Sequence, residues 1–170
     1  GGAVESVHMG SVAVVDGEGR LLYAAGDPEA RTFTRSTLKP LQALPFVAAG
    51  GPARFGLTQQ EIALLCASHS GEPRHVAAAA SILAKAGNRA ADLQCGAHPP
   101  HHYLAHDQVP PPPPYSPLAH NCSGKHAGML AHCSACGYAK GDYLDPDHPL
   151  QREIRRAVAQ LDEETLVVLQ

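Results

Sequence analysis

Apolar and polar positions alternate in blocks along the chain, and each block implies an element. Residues 11–15 and 21–25 are apolar runs separated by Asp16-Gly17-Glu18-Gly19, which predicts a β-hairpin. Gly26-Asp27-Pro28 is a second turn, and residues 32–34 read as a short strand or an extended lead-in. From 36 to 49, Leu38, Leu41, Leu44 and Val47 or Ala48 recur at helical spacing, with Gly50-Gly51-Pro52 as the stop. Pro40 suits a first turn, whereas Pro45 is expected to kink or weaken that helix. Thr58-Gln59-Gln60-Glu61 is a capping box ahead of the apolar stretch 62–67. Ser68-His69-Ser70-Gly71 breaks this helix, and Glu72-Pro73 opens another that runs to Ala86 and closes at Gly87. Its alanine run, 77–80, implies close packing against a neighbour.

Residues 98–117 are dominated by proline and histidine and read as a surface loop, extended and polyproline II-like over 110–114. Helical pattern returns over 121–135 and ends near Gly137. Asp145-Pro146-Asp147-His148-Pro149 is a turn, with Asp147 as the expected cap of an amphipathic helix over 150–161. Residues 165–169 read as the beginning of a strand. The mixture is α/β or α+β in class.

Composition narrows the function. The chain has 170 residues, 44% of them hydrophobic, enough for one globular domain over 1–170. With aromatic residues at 5%, the core must rest on aliphatic side chains. Net charge is −3 and no basic run occurs, which argues against nucleic acid as a partner. No apolar run approaches the roughly 20 residues that span a bilayer, so no membrane association is expected. The amino-terminal residues lack a basic region followed by an apolar one. Together with five cysteines, an odd number, this reads as a cytoplasmic protein with reduced thiols.

The candidate chemistry begins at Ser36-Thr37-Leu38-Lys39. On a helix these two polar side chains share a face. Serine is a weak nucleophile until a base takes its proton. A lysine withdrawn from water can be that base, because burial disfavours the ammonium form. The plain alternative is an N-cap serine beside a solvated lysine. A Ser-x-x-Lys helix start after a hairpin is also the order in serine β-lactamases and penicillin-binding proteins. Their Ser/Tyr-x-Asn and Lys-Thr-Gly elements do not occur here, which disfavours a β-lactamase proper.

Five longer segments carry a resemblance. They are Arg35-Ser36-Thr37-Leu38-Lys39-Pro40-Leu41-Gln42-Ala43-Leu44-Pro45, Cys66-Ala67-Ser68-His69-Ser70-Gly71-Glu72-Pro73, and Cys95-Gly96-Ala97-His98-Pro99. Asn121-Cys122-Ser123-Gly124-Lys125-His126-Ala127-Gly128-Met129-Leu130 and Asp145-Pro146-Asp147-His148-Pro149-Leu150-Gln151 complete the set. In this order they resemble the asparaginase II family, the Rhizobium-type bacterial L-asparaginases. The resemblance implies a serine β-lactamase-like fold, incomplete at its carboxyl end, and hydrolysis of L-asparagine to L-aspartate and ammonia. It implies Ser36 as nucleophile, Lys39 as its base and Ser68 as a second active-site serine. Arg35, His69 and Asn121 are the expected substrate contacts. Cys122 and Lys125 match a zinc-associated pair, one turn apart on a helix, whose further cysteine ligand falls beyond Gln170 in the family. So does a lysine that pairs with the second serine. A homodimer is the expected assembly.

Plainer readings stand beside these. Ser68 and Ser70 can cap the helix beginning near Glu72, Cys122 can be a buried thiol, and Lys125 can be solvated. Ser123-Gly124-Lys125 is not a phosphate-binding loop, since Ala119 stands where the earlier glycine would fall and His126 follows the lysine. Cys133 and Cys136 form a C-x-x-C that suits a metal or redox site as well as core packing. His98, His101, His102 and His106 read as a solvated polar loop rather than a surface metal site. The rival functions are a serine amidohydrolase for another amide, such as glutamine or a small peptide amide, a non-enzymatic zinc module and an inactive fragment.

Overall fold

The computed structural model describes residues 2–160, in two compact units, Gly1–Phe33 and Thr34–Gln170. The first unit carries the expected hairpin. Strand β1 (Val12–Val15) pairs antiparallel with β2 (Leu21–Ala25), Val12 opposite Ala25 and Val14 opposite Tyr23, with an irregularity between Val14 and Val15. The turn is tied by Asp16, whose Oδ1 accepts the backbone N–H groups of Glu18 and Arg20, both at 2.9 Å. Residues 32–34 form no strand. Thr34 is already in right-handed helical conformation and its carbonyl accepts the Thr37 N–H, so local hydrogen bonding curls the chain into a 3-10 turn, Arg35–Leu38.

The second unit is helical: α1 (Lys39–Ala48), α2 (Gly51–Arg54), α3 (Gln59–Leu65), α4 (Pro73–Lys85), α5 (His101–Ala105), α6 (Ser123–Cys136) and α7 (Pro149–Ala159). The described residues thus combine helices with a small antiparallel sheet, an α+β make-up. Ten of the fourteen residues of α6 are buried, as expected of a helix enclosed on all sides. It packs against α1, α3 and α4. From α4, Ala79, Ile82 and Leu83 are buried in the shared core, so the alanine run does seat a close neighbour. Leu150, Ile154 and Val158, at i, i+4 and i+8, bury one face of α7. The expected strand over 165–169 lies outside the described residues.

Several boundaries differ from the pattern reading. Helix α1 starts at Lys39, not Ser36, because the 3-10 turn precedes it. It runs through Pro45 to Ala48. Its buried face is Lys39, Ala43 and Phe46 with Leu38 before it, while Leu44 and Val47 are exposed. The register is therefore rotated from the leucine stripe, because Phe46 covers Gly51 and lies edge-on to His132 of α6. Asp147 does not cap α7. His148 does, its Nδ1 accepting the Leu150 N–H at 3.2 Å, since it directly precedes Pro149 at the first helical position. The capping box is present as expected, with Glu61 N–H to Thr58 Oγ1 at 3.2 Å and Thr58 N–H to Glu61 Oε2 at 2.7 Å. Within the 98–117 loop the chain adds the short helix α5.

Candidate active site

Three segments far apart in sequence meet on the second unit: the 3-10 turn with the first residue of α1, the loop after α3, and the start of α6. Lys39 is the joint between them. It is only 2% exposed, and its Nζ donates to the carbonyls of Ala67 (2.9 Å) and Asn121 (3.2 Å). The Asn121 carbonyl also accepts the His69 N–H at 3.3 Å. Two of the loops are thereby sewn together over the lysine.

Above it, at the surface, Ser36 Oγ and Ser68 Oγ lie 3.4 Å apart, across 32 residues of sequence. Asn121 Nδ2 donates to Ser68 Oγ at 2.9 Å, and Asn121 Oδ1 faces His98 Nε2 at 3.3 Å. Ser36 therefore pairs with Ser68, while Lys39 reaches the backbone beneath Ser68. Arg35, next to Ser36, is exposed and holds a left-handed φ of +46°, a conformation non-glycine residues seldom adopt.

His69 sits inside the wall rather than on it. It is buried, and Gly71 N–H donates to its Nδ1 at 3.2 Å. Nδ1 is thus an acceptor, so Nε2 carries the proton and donates to Ser123 Oγ at 2.9 Å, which passes its own proton to the Leu118 carbonyl. Burial, followed by His75, Lys39, His120 and His101, pushes the His69 pKa down to about 4, in keeping with that neutral ring. With both ring nitrogens engaged, His69 supports the loop and offers no free nitrogen to a substrate. Gly71 makes this turn feasible. Its φ is +77°, and a Cβ there would stand 2.5 Å from the Ala119 carbonyl oxygen.

The start of α6 brings Cys122 and Lys125 together. Burial drives the Lys125 pKa down, Cys122 pulls it back up, Lys39 pushes it down and Cys95 again pulls it up. An uncharged lysine is what metal ligation demands, so Lys125 suits that role chemically. Zinc takes four donors, however, and this pair supplies two. Among the described residues, no group of three or more His, Cys, Asp or Glu side chains could hold a metal. The described residues supply only part of a zinc site, Cys122 and Lys125. Cys133 and Cys136 are free, the first buried with its thiol pushed up to about 11 chiefly by burial, the second exposed. That leaves Cys133 as core packing.

Sequence reasoning missed His98 and His120. Both belong to the site: His98 contacts the Asn121 amide, and His120 Nδ1 accepts the Cys122 N–H at 3.0 Å. For His98, its position in Cys-Gly-Ala-His-Pro was the available signal; its histidine-rich surroundings pointed to a solvated loop.

No helix among the described residues is long and apolar enough to cross a membrane. No curated protein sequence matches the chain. A family model does, over residues 1–169, and its description is L-asparaginase II. The chain belongs to the L-asparaginase II family, a class of amide-hydrolysing enzymes.

Proposed function

We propose that this protein is an L-asparaginase that works through a serine acyl-enzyme, with Ser36 as nucleophile and Lys39 as its base. The observation that carries this reading is the exposed Ser36–Ser68 hydroxyl pair, with the buried Lys39 bonded to the carbonyls of Ala67 and Asn121 on the segments that bear Ser68 and the Asn121 amide. Ser36 Oγ attacks the side-chain amide carbon of asparagine, and its proton passes to the Lys39 lone pair. The protonated lysine returns that proton to the amide nitrogen as the C–N bond breaks, and ammonia leaves. Water then attacks the ester on Ser36 as Lys39 takes its proton, and Lys39 returns that proton to Ser36 Oγ as the acyl–oxygen bond breaks and aspartate leaves. Ser68 orients the Ser36 hydroxyl, Asn121 holds Ser68, and Arg35 at the rim meets the charged end of the substrate. Zinc at Cys122 and Lys125 requires donors beyond the described residues. The serine β-lactamase-like arrangement is supported by the order of hairpin, Ser-x-x-Lys turn and helix.

Ammonia release from asparagine, glutamine and simple peptide amides tests substrate and mechanism together. Asparagine is expected to be hydrolysed fastest. Lys39→Met is expected to lose about 10²–10⁴-fold in kcat, and Ser36→Ala to abolish acyl-enzyme formation as seen by intact mass. Full activity in Ser36→Ala refutes the mechanism. Glutamine or a peptide amide outpacing asparagine moves the protein to a different amide substrate.

A further inference from the structure

The hydrogen bonds of His98 contain a constraint on the active-site protons. Its Nδ1 lies 2.7 Å from the Pro99 carbonyl oxygen. A carbonyl can only accept, so Nδ1 carries hydrogen. In a neutral ring Nε2 is then an acceptor. As placed, the Asn121 amide turns Oδ1 to Nε2 at 3.3 Å and Nδ2 to Ser68 Oγ at 2.9 Å. With the amide oxygen on the imidazole side, two acceptors confront each other unless the ring is doubly protonated. With the amide nitrogen on that side, every group in the chain has a complementary partner. The two ends of an amide are nearly isosteric, and proton bookkeeping decides between them. The other side chains on the His98 ring are His101, stacked at 4.5 Å, and His120 at 4.3 Å; neither is a carboxylate, and Lys39 and Lys125 bear on His120.

We propose that His98 is a positioning residue: its neutral Nδ1–H form holds the Asn121 amide with nitrogen toward the imidazole and oxygen toward Ser68, giving the active-site hydroxyls one direction. Ser68 then donates to Asn121 Oδ1 and accepts the proton of Ser36. Its hydrogen is withheld from Ser36 Oγ, so the nucleophile's lone pairs stay open for attack, and the Ser36 proton leaves its bond to Ser68 for Lys39 as attack begins. With the amide as placed, nitrogen toward Ser68, the Ser68 hydroxyl is free to donate to Ser36 and blunt it. This deepens the serine-hydrolase reading above and rests on it.

Two measurements test it on the full-length protein. Nitrogen NMR of histidine-labelled protein at pH 8 reads the ring directly, with the His98 signals assigned by their loss in His98→Phe. A neutral ring with Nδ1 protonated is expected; a doubly protonated ring or the Nε2–H tautomer overturns the proposal. His98→Phe is expected to lower kcat for asparagine about tenfold, the worth of one directed hydrogen bond, with KM unchanged. Phosphonylation of Ser36 by a fluorophosphonate should slow by the same factor, and His98→Gln, whose amide enforces no direction, should do likewise if His98→Phe does not fold. Unchanged kcat and labelling rate, or a change confined to KM, overturns it. If the unmutated protein releases no ammonia but its Ser36 is labelled and His98→Phe slows that labelling, the substrate assignment fails and the role of His98 stands.

Discussion

Gly124, between the candidate ligands Cys122 and Lys125, tests whether helix contact shapes this site. A Cβ built there would lie 2.4 Å from the Leu64 carbonyl oxygen, 2.7 Å from Leu64 Cγ and 2.9 Å from its carbonyl carbon. The first distance is about 1 Å short of the 3.4 Å at which ordinary contact begins. The obstacle is backbone of α3, not the end of a flexible side chain, so α6 must move. Overpacking of this kind costs about 1–3 kcal/mol. Alanine returns up to about 1 kcal/mol in helix propensity. For Gly124→Ala a net loss of about 1–2 kcal/mol follows, equivalent to roughly 2–8 °C in Tm. Gly128, one turn on, is the internal control. Its Cβ would meet Leu65 Cδ2 at 2.8 Å and nothing else closer than 3.6 Å, and that methyl can rotate away. Gly128→Ala should stay within about 1 kcal/mol of the parent, since propensity and crowding offset. Urea unfolding monitored by circular dichroism measures both. Because the strain falls beside Ser68 and Asn121, Gly124→Ala should also slow Ser36 phosphonylation while Gly128→Ala should not. Equal stability of the two variants, or a larger loss for Gly128→Ala, refutes the argument that α6 is seated directly on the α3 backbone.

Acid should destabilise the fold well above the carboxylate range. Burial holds His69 at about 4 and His126 at about 3, whereas an unfolded histidine titrates near 6.5. The unfolded chain therefore binds these protons first, so the associated stability is complete above about pH 6.5 and is lost as pH falls toward 4. For the two residues the slope near pH 5 is about 2–3 kcal/mol per pH unit, and a urea midpoint unchanged from pH 7 to 5 contradicts it. Lys85→Met removes the cation 2.7 Å from the buried Glu61 carboxylate. Although burial alone raises that carboxyl's pKa, hydrogen bonds from Lys85, Ser81 and Thr58 bring it down to about 2, so its stabilisation is present above about 4.5 and lost as pH falls toward 2. The variant should lose about 1–3 kcal/mol at pH 7 and much less at pH 3; an equal loss at both values argues that Lys85 acts through packing alone.

Elements governed by neighbours in sequence were legible in it. The hairpin, the Thr58–Glu61 capping box and the glycine ends of α4 and α6 all stand where the local pattern implied, because a turn or cap is made by residues within a few positions of each other. The segments carrying the site were legible for a related reason: each is a short stretch of chemically distinctive residues. What was not legible is how they face one another. The buried face of α1 follows Phe46 and its neighbours on other helices rather than the leucine stripe.

The same division runs through the chemistry. Sequence alone determined which short segments bear the candidate groups Ser36, Lys39, Ser68 and Asn121, through the resemblance those segments carry. Tertiary structure decided that Ser36 meets Ser68 while Lys39 anchors two backbone carbonyls, that His69 turns inward, and that His98 bears on Asn121. The partners in those contacts lie 23 to 82 residues apart. A hydrogen bond depends on angstrom-scale placement of both partners, and over such separations that placement comes from helices seated on α6, not from any local preference of the chain.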